Sequence, residues 1–164
     1  SSFDSPSVPL IQQMRRLKIK AKDVHHALLS GKLHKQVGND LDGVTGEIPW
    51  YPGVKGPFSD FAEELVKRSN VDMFEYPWTM SRISAYLIMV QAIERAGAVD
   101  REAVRKALFK GTFDSPTGKI VFNETGYAFK NGAFTLQIQK GKPVIVWPPE
   151  IATGKFVYPS PSWQ

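Results

Sequence analysis

Three histidines, His25, His26 and His34, follow closely on Asp23. Their types could do two kinds of chemistry. An imidazole ligates metals, and it donates or accepts hydrogen bonds while titrating near neutral pH. A zinc site needs convergent ligands, commonly spaced two to four residues apart with a second cluster. Adjacent residues on a strand project to opposite faces, so His25 and His26 cannot hold one ion without a kink. No metal is therefore expected. As contacts to an organic ligand, the two histidines could meet a carboxylate or an aromatic ring. The plainer reading is a partly exposed pair on a strand, one side chain in and one out.

The remaining chemical candidates are weaker. Arg15, Arg16, Lys18, Lys20 and Lys22 form the strongest basic run. A nucleic-acid patch would carry interleaved aromatics or a known module, and neither is present. Cations at the solvated end of a helix explain the run, so no nucleic-acid partner is expected. Trp50, Tyr51, Tyr76 and Trp78 lie in proline-containing loops and could line a cleft or pack beside one. Glu63, Glu64, Asp100 and Glu102 fall on amphipathic helices as surface charges. There is no G-x-S-x-G, no phosphate loop and no Ser/His/Asp set with supporting context. The chain is expected to be no enzyme and to need no cofactor. An enzyme using the histidines is the contrasting reading, and it requires turnover that His25→Ala abolishes.

The elements that must position these residues follow from periodicity. Residues 8–17 (VPLIQQMRRL) have apolar positions at helical spacing, with Ser7 as cap and Pro9 in the first turn. Residues 22–27 read as a short strand. Residues 30–37 read as a short helix closed by Gly38. Residues 41–48 form a strand leading into the loop 49–53. Residues 58–68 are an amphipathic helix with Phe58, Phe61 and Leu65 on one side. Residues 79–96 are a long helix stopped by Gly97, and its apolar run 85–90 predicts burial on most sides. Asp100 caps a helix over 101–110, with Glu102 early and Lys106 and Lys110 late. Residues 134–139 and 144–147 flank the turn 140–143 as a hairpin. The prolines after 147 predict an extended tail across a surface.

Strand–helix alternation followed by strands gives an α/β class. The 164 residues suffice for one core, with 42% hydrophobic and 23% charged residues. No run approaches the ~18 apolar residues that span a bilayer. Cysteine is absent, which removes disulfides and thiol chemistry and is compatible with an oxidising compartment. The net charge of +5 permits acidic partners without specifying one.

The order of four segments carries a resemblance. Residues 132–163 (GAFTLQIQKGKPVIVWPPEIATGKFVYPSPSW), 85–108 (AYLIMVQAIERAGAVDREAVRKAL), 113–122 (FDSPTGKIVF) and 43–50 (GVTGEIPW) occur in the sequence and spacing of one family. Together they resemble the C-terminal portion of the solute-binding receptors of branched-chain amino acid ABC transporters, the type I periplasmic binding proteins. The resemblance runs from about Asp4 to Trp163. It implies part of a two-lobed fold of Rossmann-like lobes joined by a hinge, with the N-terminal lobe largely missing. Residues 1–47 would be the C-terminal part of lobe 2. Residues 48–131 would be a returning segment of lobe 1. Residues 132–164 would be the final hairpin and tail, back in lobe 2. Trp50 and Pro52 would sit near the hinge.

The resemblance also implies a function. A small amino acid-like or organic acid ligand would be captured by hinge closure and delivered to a membrane permease, in the periplasm or another extracytoplasmic space. Ser2 and Phe3 stand where the family places a ligand contact at a strand's end, and His25 and His26 fall near an acidic residue that pairs with the ligand's ammonium group. Here Ala27 and Leu28 occupy roughly that acidic position, and Arg82-Ile83 stands where the family often has Gly-Tyr. Both departures tilt the ligand toward an aromatic or carboxylate compound. The alternative within the same fold is a ligand-sensing domain of a regulator or receptor. The chain reads as a C-terminal piece, to be completed by the missing N-terminal fragment or by a homodimer.

Overall fold

In the computed structural model, residues 6–27, 29–128 and 134–163 are described. The chain begins with helix α1 (Ser7–Arg16), strand β1 (His25–His26), helix α2 (Gly31–Val37) and strand β2 (Thr45–Ile48). Helices α3 (Ser59–Ser69), α4 (Thr79–Ala96) and α5 (Arg101–Lys110) follow. Strands β3 (Thr112–Ser115), β4 (Gly118–Val121), β5 (Phe134–Gln139) and β6 (Lys142–Trp147) complete the order. The architecture is mixed α/β, as the alternation predicts.

The main sheet runs β1-β2-β5-β6, and β3 and β4 form a separate hairpin. β1 pairs parallel with β2, His25 opposite Thr45 and His26 opposite Gly46. β5 runs antiparallel to both β2 and β6. One face is apolar: Ile48, Phe134, Leu136, Ile138 and Ile145 enter the larger core with Ile11, Leu33 and Trp50. The other carries Thr45 opposite Gln137, Glu47 opposite Thr135, and Gln139 opposite Lys142. This is the alternation of a sheet with one apolar face, though Thr45 and Gln137 on the polar face are buried as well.

A second, smaller core joins the later half of α4 (Ile88, Ala92) to Val104 and Leu108 of α5, Phe113 and Ile120 of the hairpin, and Phe122. Met80 and Ile83, at the start of α4, belong to the larger core. One continuous helix therefore serves both cores. Where they meet, buried Ser84 accepts a hydrogen bond from Thr117 Oγ1 at 3.2 Å.

Local chemistry explains most boundaries. Asp100 Oδ1 accepts from Ala103 N at 2.8 Å, and Ser30 Oγ accepts from Leu33 N at 3.1 Å. Both are N-cap bonds. Gly97, at φ 65°, ends α4 in the left-handed conformation glycine adopts without strain.

The structure corrects several expectations. Helix α1 takes in Ser7 as its first residue, and Pro6 stands at the cap position expected of Ser7. Strand β1 is only two residues long, because only His25 and His26 meet β2. Residues 38–41 form a 3-10 turn, which delays β2 to Thr45. In α3 the buried residue is Ala62, while Phe58 and Phe61 stack edge-to-face at the surface, 6.4 Å between ring centres. Ala85, Tyr86, Met89 and Val90 of α4 are exposed, against the expected burial. An apolar run does not by itself show what covers it. Lys142 and Pro143 belong to β6, and the turn is Lys140-Gly141 with φ of 52° and 72°. Positive φ at both positions suits a two-residue hairpin loop, and Pro143 is tolerated because β6 is the last strand of its sheet.

The sequence predicts a tail extended throughout; it instead makes 3-10 turns at Pro149–Ile151 and Pro161–Trp163 and between them crosses the polar face as a strap. Thr153 N donates to Ile145 O at 2.9 Å, against the outer strand β6. Gln139 Nε2 donates to Lys155 O at 2.8 Å. Gln137, wholly buried, donates to Val157 O and accepts from Val157 N, both at 3.0 Å. Ser160 N reaches Lys22 O, and Ala21 N reaches Trp163 O, each at 2.8 Å. The strap ends on buried Trp163, whose Nε1 donates to Asp42 O at 3.1 Å and whose ring lies 3.6 Å beneath the Arg15 guanidinium. Arg15 also donates to the carbonyls of Asp40 and Asp42.

Candidate functional site

The direction of the strands defines the edge that matters. β1 and β2 both run toward His26 and Ile48, and β5 starts at Phe134, paired with Ile48. In open α/β sheets, ligands gather outside the carboxyl ends of strands. His26, Ile48 and Phe134 mark that edge, and Trp50 follows two residues beyond it.

Gly46 lets these parts approach. A Cβ there would lie 2.5 Å from His26 O and 2.5 Å from Leu29 Cγ. The bare backbone lets wholly buried Leu29 pack directly over the β1–β2 pair. His26 stands opposite Gly46 on this side of the sheet. Its Nε2 lies 2.5 Å from the Oγ of buried Ser7, in a hydrogen bond whose direction depends on the tautomer.

His25 points the other way. Its Nδ1 is 3.1 Å from Thr45 Oγ1, on the polar face. Thr45 Oγ1 lies 3.2 and 3.3 Å from the two Asp23 carboxylate oxygens and 3.3 Å from Val24 O. A hydroxyl has one proton, so it donates to one of these acceptors at a time. The neighbouring histidines thus serve separate networks: Asp23–Thr45–His25 on one face and Ser7–His26 on the other. They do not converge on one point. Ser2 and Phe3 lie outside the described residues.

Trp50 and Pro52 differ sharply in setting. Trp50 is 1% exposed, and its Nε1 has no hydrogen-bond partner among the described residues. Pro52 is exposed. Between them Tyr51 is half-buried and meets Phe74 edge-on, 6.4 Å between ring centres. Burial raises the Tyr51 phenol above its usual value, and the Asp72 charge raises it further. Tyr76 and Trp78 are exposed. Among the described residues, no group of three or more His, Asp or Glu side chains could hold a metal ion, and no helix is long and apolar enough to cross a membrane.

Ser7 is the residue that sequence reasoning missed here. Its hydroxyl reads as a helix cap, and a separation of 19 residues from His26 carries no signal.

The edge where β1 and β2 end, backed by α1 and leading into Trp50, is the kind of edge at which ligands gather in open α/β sheets. The chain belongs to the periplasmic binding protein family, which matches residues 2–143. Over 53 residues it is 43% identical to the leucine-, isoleucine-, valine-, threonine- and alanine-binding protein of Pseudomonas aeruginosa, 32% of this chain and 14% of that one. The fold resembles that of a leucine-binding protein from Thermotoga maritima, with TM-score 0.72 and 20% identity over 88% of this chain and 43% of that one. It likewise resembles a type 1 periplasmic binding protein from Bordetella pertussis, with TM-score 0.70 and 17% identity over 86% of this chain and 43% of that one. The fold is thus part of a type I periplasmic binding fold, and the chain spans less than half the length of these solved relatives.

Proposed function

We propose that this chain works as part of an extracytoplasmic solute-binding receptor. It takes up a small amino acid-like or organic acid ligand by hinge closure and presents it to an ABC transporter permease, without chemical turnover. The observation that carries this reading is the family match across residues 2–143. The carboxyl-end edge supports it, since the exit from β2 at Ile48 and the entry to β5 at Phe134 lie side by side there. In this reading residues 1–47 and 132–164 belong to one lobe and 48–131 to the other. Trp50 and Pro52 lie near the hinge, and Ser2, Phe3, His25 and His26 contact the ligand. His25 and His26 face different networks, so they would reach a ligand from different sides.

The test is native mass spectrometry of the purified protein, followed by denaturing release of small molecules. An amino acid or organic acid released from a complex of this chain with a companion polypeptide or a second copy is expected. Binding by the isolated 164-residue chain is expected to be weaker than micromolar, since it spans 43% of a solved relative's length and supplies only part of a cleft. A chain that releases nothing, and whose melting temperature ignores millimolar L-leucine, L-valine and benzoate, speaks against a receptor.

A further inference from the structure

We propose that the seam between α4, α5 and the β3–β4 hairpin is a second binding site, for a small neutral molecule with an apolar body and one hydroxyl, such as a phenol. It is independent of the strand-end edge and of the receptor reading above. A cavity of about 270 Å³ lies in this seam. Ile88 of α4, Leu108 of α5, Ile120 of β4 and Phe122 supply its apolar wall, and Ala85 and Met89, both exposed on α4, stand at its mouth. A cavity of roughly 150 Å³ already holds benzene, so a substituted ring fits here. No charged side chain lines it among the described residues. An ion would give up hydration without a counter-charge, which selects a neutral occupant.

The polar part of the wall decides which neutral group is wanted. Ser84 and Thr117 line the cavity, each 3% exposed. Behind them, Ser115 Oγ donates to Gly118 O at 2.8 Å and lies 3.1 Å from Thr117 Oγ1. Thr117 Oγ1 donates to Ser84 Oγ at 3.2 Å. Each hydroxyl has a single proton. With the Thr117 proton on Ser84, the proton of Ser84 itself has no acceptor among the described residues. Run in the opposite order, the same row would leave Ser84 an open acceptor instead. Either way one hydrogen bond of a buried hydroxyl is unmade at the cavity wall, and a buried group left so is costly. A ligand hydroxyl answers both arrangements, because it donates and accepts, whereas a carbonyl answers only one.

The test uses the full chain with 13C-methyl-labelled isoleucine and methionine, read at Ile88, Met89 and Ile120. The probes are p-cresol and p-xylene, which share a shape and differ by a hydroxyl for a methyl, with benzoate as the charged control. Saturable shifts of these methyls by p-cresol are expected at submillimolar concentration, with p-xylene binding about fivefold more weakly, the worth of one neutral hydrogen bond. Ser84→Ala should remove that preference. Ala85→Leu, a substitution at an exposed helix position that fills the mouth, should abolish the response to both probes. Methyls that ignore p-cresol, or that respond to it equally in Ala85→Leu, overturn the site. Equal binding of p-cresol and p-xylene by the wild type overturns the hydroxyl preference, and saturation by benzoate overturns the selection for a neutral ligand. Dispersed amide spectra of both variants show that they are folded.

Discussion

Two buried tryptophans differ in one atom's surroundings, and that difference has a measurable size. Trp50 and Trp163 are 1% and 2% exposed. Trp163 donates its indole N–H to Asp42 O, whereas the Trp50 N–H has no partner among the described residues. An unpaired buried donor costs about 1–3 kcal/mol. Replacing tryptophan by phenylalanine leaves a void of about 40 Å³, worth about 1 kcal/mol at about 24 cal/mol per Å³. In Trp50→Phe the void is offset by removal of the orphan donor, so the net change is expected between about zero and 2 kcal/mol in the stabilising direction. In Trp163→Phe the void adds to a lost hydrogen bond, about 2 kcal/mol destabilising in all. The two variants should therefore differ by about 2–4 kcal/mol despite identical chemistry. Urea unfolding followed by circular dichroism at 222 nm measures this as a difference in midpoint at constant slope. Trp50→Phe as destabilising as Trp163→Phe would refute the reasoning. It would mean that the Trp50 N–H is satisfied in solution, for example by water.

Further expectations follow from single contacts. Gly46→Ala places a Cβ 2.5 Å from a backbone oxygen and from Leu29, and should destabilise by at least about 1–3 kcal/mol; a melting temperature equal to the wild type's would show that the β1–β2 pair gives way cheaply. Asp100→Ala removes the cap on Ala103 N and should cost about 1 kcal/mol in urea, with Asp100→Asn nearly neutral. Tyr51 has a raised phenol, so the unfolded chain ionises first as pH climbs. Its contribution to stability is whole below the ordinary tyrosine range and is lost as pH rises through the folded value. Tyr51→Phe should flatten the fall in stability in that window, and absorbance at 295 nm against pH should show one fewer late-titrating phenol.

The sequence made the rigid, strongly signalled parts legible. α4 and α5 have the expected bounds because Gly97 and Asp100 punctuate them chemically, and the hairpin of β5 and β6 stands where alternating β-formers flank Lys140-Gly141. What periodicity could not supply was the identity of each neighbour. The run 85–90 is apolar enough for an interior, yet its exposure depends on what packs over it. Residues 22–27 look like a strand, but pairing fails beyond His25 and His26. At the candidate site the opposed directions of the two histidines follow from the two-residue period of a strand. The partnership of His26 with Ser7 arises only when α1 folds back over the sheet, which no local pattern encodes.

The strap bears on the order in which the molecule assembles. Its terminal lock joins Trp163 to Asp42, a sequence separation of 121 residues, while the hairpin of β5 and β6 closes over a two-residue turn. Contacts so distant along the chain pay a larger loop-closure cost before they return any stabilisation, so they tend to form late. The β5–β6 hairpin should therefore gain its register before the terminal lock closes. Pulsed hydrogen exchange would show this as protection of the Val157 amide, which bonds Gln137 across 20 residues, before that of Ala21, which bonds Trp163 O.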